Sequence, residues 1–249
     1  MRFGAIIPTV DDEPALHRLL TRLADSRPPL DEIVVVDGAA SAVCALACRA
    51  AGAFWVPART GRAGLLALGA AHCRADVLWF LPADCEPHAD ALAAIRHSID
   101  AGAIGGYFRF RFAGPRTLAK RLLEQCIAWR SRHGSARDDQ GIFVTRSAYA
   151  SSPGFTLQPV FAEIALVRAL KRTGRFAALD LPITVSPRRW ERDGYLRRTL
   201  ANRALALFFA FGVAPATLAR WDGTRARPAP PRRRARRGRS NNGHEAHKG

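Results

Sequence analysis

Lysine is nearly absent from this chain, occurring only at positions 120, 171 and 248, so arginine supplies all but three of the 38 basic side chains. With alanine abundant as well, that bias reads in part as a signature of the source genome's base composition. It tempers what a net charge of +17 and a pI near 11.3 would otherwise say about a nucleic-acid partner. Cysteine is sparse: five residues, at 44, 48, 73, 85 and 126, with no Cys-x-x-Cys pair. Neither a zinc site nor a disulfide framework is indicated, and a reducing cytoplasm is the simplest compartment. No run approaches the roughly 20 apolar residues of a membrane-spanning helix. No secretory leader is expected, since a short apolar run reaches Pro8 at once and reads as a first strand, Phe3 to Ile7. No glycine-rich phosphate loop follows that strand. There is no internal repeat, and the histidines at 17, 72, 88, 97 and 133 fall in no metal-ligand spacing.

What is present is enough to fold. At 249 residues and 48% hydrophobic content, the chain can bury a full core. From Asp222 onward, nine basic residues stand against two acidic ones, with prolines at 228, 230 and 231 and almost no large apolar side chains. That segment, 222–249, is expected to be a disordered basic tail. It lacks interleaved aromatics, so no nucleic acid is expected as a partner, and residues 1–221 are expected to form one domain.

Two carboxylates carry the chemistry. Val77-Leu78-Trp79-Phe80-Leu81 is a run of the kind buried on both faces of a sheet, and it ends at Pro82-Ala83-Asp84. Glu32-Ile33-Val34-Val35-Val36 ends likewise at Asp37, followed by Gly38, which can turn the chain. Open α/β sheets bind ligands just beyond the carboxyl ends of their strands. Two acids at two such ends suit a cleft that holds a polyanion through a divalent metal and reads a polar base or sugar.

Strands and helices alternate around these points. Asp11 and Asp12 can cap a helix from Pro14, with Leu16, Leu19, Leu20 and Leu23 on one face. The spacing predicts helices over 41–51, 61–73 and 88–100, and a short strand over 54–56. Residues 104–112 alternate as a half-exposed strand. The second half is more mixed, with helices predicted over 117–133, 161–173 and 194–211 and strands over 141–145 and 176–185. This order implies a mainly parallel sheet with helices on both faces. Cys44 and Cys48 share a helix face and read as small buried groups.

Six motifs in order then carry a resemblance: Pro8 to Asp12, Val34 to Gly38, Gly61-Arg62-Ala63, Phe80 to Asp84, Asp139-Gln140-Gly141-Ile142-Phe143-Val144, and Arg188-Arg189-Trp190-Glu191. From about Phe3 to Trp221 the chain resembles the family 2 glycosyltransferases of GT-A fold, and within them the bacterial radical-SAM/selenodomain-associated subgroup. The resemblance implies a Rossmann-like α/β domain, a nucleotide-sugar donor and Mg²⁺ or Mn²⁺ as cofactor. It implies donor contacts from Pro8, Asp12, Asp37, Arg62 and Asp84, with Asp84 as the metal ligand. Asp84 matches the last acid of the family's Asp-x-Asp motif, whose first acid is here Pro82. Asp139, Gln140, Arg188, Arg189 and Trp190 are implied at the acceptor and diphosphate. Glu163 aligns with the family's general base, in Ala162-Glu163 where the family has Glu-Asp.

Departures leave two readings open. Ala39, Ala40, Ala42 and Ala67 stand where the family has polar residues, which fits either an altered donor or a decayed, non-catalytic member kept for binding. A nucleotidyltransferase of related architecture is a third reading, without a phosphate loop to support it. Residue by residue, Asp12 can be only a helix cap, Glu163 an exposed helical charge and Trp190 core packing. The stretch Ala204–Val213, with arginines beside its apolar positions, suits an anionic membrane surface at the inner face of the cell membrane, and with it a lipid-linked acceptor. Docking onto the sheet is the alternative.

Overall fold

Side chains of a strand point alternately to opposite faces, and the central strands here are apolar at every position. Each must therefore feed two cores. In the computed structural model, which describes residues 1–133, 136–157, 161–195 and, beyond them, 197, 201, 204, 205, 208 and 212–221, that is what happens. Ile7, Val35 and Trp79 join one buried cluster and Ile6, Val34 and Phe80 join the other.

The strands are β1 (Phe3–Thr9), β2 (Glu32–Asp37), β3 (Phe54–Pro57), β4 (Val77–Phe80), β5 (Cys85–Pro87), β6 (Gly105–Phe112), β7 (Phe143–Thr145) and β8 (Phe176–Val185). They form one sheet in the order β3-β2-β1-β4-β7-β6-β8-β5. β1 pairs in parallel with both β2 and β4, and β6 with β8, whereas β7 and β5 run antiparallel to their neighbours. Helices α1 (Glu13–Ala24), α2 (Ala42–Ala50), α4 (Ala91–Asp100) and α5 (Leu118–His133) bury residues against the first face. Helices α3 (Arg62–His72) and α7 (Ala162–Thr173) cover the second. On α3, a Cβ at Gly69 would strike Ile6 Cγ2, so only glycine lets that helix lie directly on β1. Short helices α6 (Arg146–Ala150) and α8 (Arg188–Asp193) and a last helix, Pro215–Trp221, complete the described elements.

Chain order runs outward from β1 to β2 and β3, then returns to β4 on the other side of β1. The place where the order reverses lies between β1 and β4, where open α/β sheets leave a crevice at their carboxyl ends.

Several local expectations shift. Asp12 occupies the position preceding α1, but its side chain makes no capping hydrogen bond. Ser41 does cap α2, accepting from Cys44 N at 3.4 Å. The helix expected from His88 starts at Ala91, and His88 instead faces Asp90, Nδ1 to Oδ2, at 3.5 Å. The strand expected from Gly141 starts at Phe143, because Gly141 closes a 3₁₀ turn, Asp138–Gln140, in the left-handed region at φ 57°. Much of the helix expected over 194–211, and all of the tail 222–249, lie outside the described residues. Of the described residues of that stretch, Leu205 is buried with Phe161 and Leu218, whereas Phe208, its ring 5.4 Å from that of Trp221, is 44% exposed.

All five thiols are free, and only Cys126 is exposed. Burial pushes Cys73 up to about 11 and raises Cys85 well above the ordinary thiol range; Cys44 is raised by its bond to Cys48 and by burial. A thiol reagent at pH 8 should therefore titrate one fast equivalent in the folded protein and five after denaturation. More than one fast equivalent would show that the buried set is accessible.

Candidate active site at the carboxyl edge of the sheet

Parallel pairing puts Thr9, Asp37, Pro57 and Phe80 at one edge of the sheet, and the β6–β8 pair ends at Phe112 and Val185 on the same edge. β7 runs the other way, so its beginning lies there: Phe80 N donates to Ile142 O at 2.8 Å. The turn Asp139–Gln140 that precedes β7 therefore belongs to this edge. α7 leads from here back across the second face, since Thr173 is followed at once by β8, whose first residue pairs with Gly105 at the far edge. Glu163, in the first turn of α7, is thereby brought to the carboxyl edge.

Asp84 follows β4 by four residues and is held by its backbone, with Ser186 N donating to Asp84 O at 3.3 Å. Its half-buried side chain lines a cleft of ≈ 220 Å³ together with Arg18, Glu86, Ser186 and Arg188. The buried Cys85 thiol, raised chiefly by its burial, feels both the Asp84 carboxylate and the Arg62 guanidinium. Among the described residues no three metal-ligating side chains lie together. A hard cation shared with a diphosphate takes one or two carboxylates, phosphate oxygens and water, and Asp84, opening into the cleft, fits that limited role.

Asp37 is differently placed. It is 1% exposed, and its carboxylate organises the loop after β2: Oδ1 accepts from Ala39 N at 2.9 Å, and Oδ2 accepts from Ser41 N at 2.7 Å and Trp55 Nε1 at 3.3 Å. These bonds, with Gly38 N donating to Thr9 O at 2.9 Å, tie the ends of β1 and β2 together.

Other expected site residues divide between cleft and scaffold. Pro8 is buried within β1, and Asp12, half-buried, follows Asp11, whose φ of 51° turns the chain at the crevice. Asp139 is half-buried at the same edge. Gln140 is a scaffold residue: 1% exposed, it donates through Nε2 to Phe108 O at 3.3 Å and accepts through Oε1 from Ser131 Oγ at 2.7 Å and Arg137 N at 3.1 Å. Its amide is spent on holding α5 and the 3₁₀ turn against β6. Trp190 packs edge-on against Phe112 at 5.4 Å and along Tyr195 at 6.3 Å. Arg188 is exposed and lines the cleft; the Arg189 side chain lies outside what the structure describes. Glu163 is 7% exposed.

Sequence reasoning missed Trp55 and Glu86. Trp55 could have been found from strand register, since Val35 lies beside Trp55 and Asp37 two residues further along. Glu86 is the exposed middle residue of β5, whose buried-exposed-buried alternation is a strand signal too short to stand out.

Residues 5–151 match the family described as Glycosyl transferase family 2. No curated protein matches the sequence at a significant level. Solved structures do. Glucosyl-3-phosphoglycerate synthase from Mycobacterium tuberculosis, in complex with Mn²⁺ and UDP-glucose, is 18% identical with a TM-score of 0.58, covering 85% of this chain and 79% of that one. TarS of S. aureus is 14% identical with a TM-score of 0.60, covering 75% of this chain but only 37% of its own. These likenesses establish the GT-A fold.

Replacing Asp37 with asparagine would set an amide NH₂ against backbone and indole donors. The expected loss is about 1–3 kcal/mol of stability, or about 2–4 °C per kcal/mol in Tm. Trp55→Phe, which removes one donor and keeps a ring, should cost less. Equal melting of Asp37→Asn and the parent would show that the carboxylate does not hold the loop.

Proposed function

The chain belongs to glycosyl transferase family 2, and we propose that it moves a sugar from a nucleotide-sugar donor to an acceptor hydroxyl by a single inverting displacement. The observation that carries this reading is the place of Asp84, half-buried in the lining of a cleft just beyond the end of β4, the strand at the reversal of strand order. Within the family, the motif order from Pro8 to Glu191 favours the radical-SAM/selenodomain-associated subgroup.

In this reading Asp84 would hold Mg²⁺ or Mn²⁺, which would supply positive charge to offset the negative charge growing on the leaving group. The Mn²⁺ and UDP-glucose complex of the mycobacterial synthase supports that choice of partners. Arg62 and Arg188, exposed at the same edge, add fixed positive charge toward the diphosphate. The loop organised by Asp37 presents the base-binding surface, with Pro8 and Asp12 beside it. Glu163 takes the proton of the acceptor hydroxyl as that oxygen bonds to the anomeric carbon; the bond from that carbon to the diphosphate breaks, and its electron pair leaves with the nucleotide. The place of Glu163 in the first turn of α7, at the carboxyl edge of the sheet, favours this role. Asp139 and Trp190 border the acceptor side.

A second reading, a non-catalytic member that retains binding, is favoured by one observation: Asp37 spends two hydrogen bonds on its own loop and one on the Trp55 indole of β3, leaving little for a nucleotide base.

Two substitutions separate the readings. Asp84→Asn should abolish the Mn²⁺-dependent thermal shift given by UDP-glucose while leaving the ligand-free melting temperature unchanged; retention of the shift would remove Asp84 as a ligand. Glu163→Gln should keep that shift and lower turnover by about 10²–10⁴-fold. A parent protein that binds donor with metal but transfers nothing, to acceptor or to water, would establish the second reading.

A further inference from the structure

Helix α5 has two apolar faces. The inner one, with Ile127 buried and Leu123 packed behind it, sits on the first core. The outer one, Leu118, Leu122 and Trp129, is 76%, 62% and 67% exposed. At 3.6 residues per turn these three fall within about 40° of arc, directly opposite the helix's buried residues Lys120, Ile127 and Ser131. A solvated helix places polar residues there.

The charge around this stripe is of one sign. Arg121 and Arg132 are exposed along its flank. Glu124, the sole carboxylate of the helix, is consumed: Arg116 Nη1 donates to its two oxygens at 3.0 and 2.8 Å, and Phe112 N donates to Oε1 at 2.8 Å.

We propose that the outer face of α5 seats the protein on an anionic phospholipid surface, with Leu118, Leu122 and Trp129 entering the headgroup boundary and Arg121 and Arg132 meeting the phosphates. The same charges oppose a second copy of the chain as occupant. Two antiparallel α5 helices would bring Arg121 of one toward Arg132 of the other, with no free carboxylate on either helix to offset them. The position has a consequence for the cleft. Lys120 Nζ donates to Ala113 O at 2.8 Å, and Ala113 lines the cleft with Asp84, so the inner face of α5, opposite the docking face, is tied to one wall of the cleft. The inference goes beyond the transferase reading and does not depend on it.

Cys126, the one exposed thiol of the five, lies on α5 between Leu122 and Trp129 and reports on this face. The full chain, labelled there with an environment-sensitive fluorophore, should float with phosphatidylcholine vesicles containing phosphatidylglycerol, and its emission should shift to the blue. Pure phosphatidylcholine should give little of either. Leu122→Glu/Trp129→Glu should lower vesicle partitioning by about tenfold or more, with the melting temperature and any Mn²⁺-dependent donor binding unchanged. Flotation without a change at the label would place the contact elsewhere, on the basic tail, and overturn the proposal. So would unchanged partitioning of the double variant, absence of flotation, or an emission shift that follows protein concentration without lipid, which would mark a second copy as the occupant.

Discussion

Burial of β1 and β4 on both faces governs where polar groups can stand. Each of these strands supplies alternate side chains to two separate cores, and a charge anywhere along them would sit unpaired in a medium that penalises it by several kcal/mol. Carboxylates are therefore displaced to the strand ends. Asp37 terminates β2 and Asp84 follows β4, and the parallel pairing of these strands around β1 sends both acids to one edge. The chemistry and the core thus share a single cause, the two-sided covering of a parallel sheet.

The two acids then meet different fates, decided by what their loops offer. The loop after β2 presents the Ala39 and Ser41 amides, and β3 presents the Trp55 indole, so Asp37 is folded inward as a hydrogen-bond acceptor. The loop after β4 contains Pro82, which has no N–H to offer, and its backbone is instead tied to Ser186. Asp84 is left half-buried in the lining of the cleft. Alanine at 39, 40 and 42 leaves this arrangement intact, because the loop holds the Asp37 carboxylate through the main-chain amides of Ala39 and Ser41.

Long apolar runs and helical periodicity made most of the frame readable: β2, β4, β6, β8, α1 and α5 stand close to where spacing alone places them. Pairings between distant segments were not readable. β5 has three residues and exists because Cys85 finds Val185 a hundred positions away. Gln140 carries the look of a ligand-binding amide, yet its partners, Phe108 and Ser131, come from β6 and α5, and nothing local announces that they converge. Glu163 was legible as a carboxylate at a helix start, whereas its low exposure depends on how α7 crosses the sheet. The outer face of α5 was masked by its inner one, since a helix with apolar residues at 118, 122, 123, 127 and 129 reads as an ordinary core helix until the structure shows which of them face out.

The ends of the sheet have a consequence for how the protein behaves in a crowded solution. One margin is β3, four residues closed by Pro57; the other is β5, three residues closed by Pro87. Open margins of β-sheets recruit strands from other molecules, and short, proline-terminated ones offer too few consecutive donors for that growth. At these margins a sheet whose middle strands are as apolar as an amyloid-forming segment offers little for growth, and the part of β8 that β5 leaves uncovered, 176–182, carries Asp180 and Pro182 along its length.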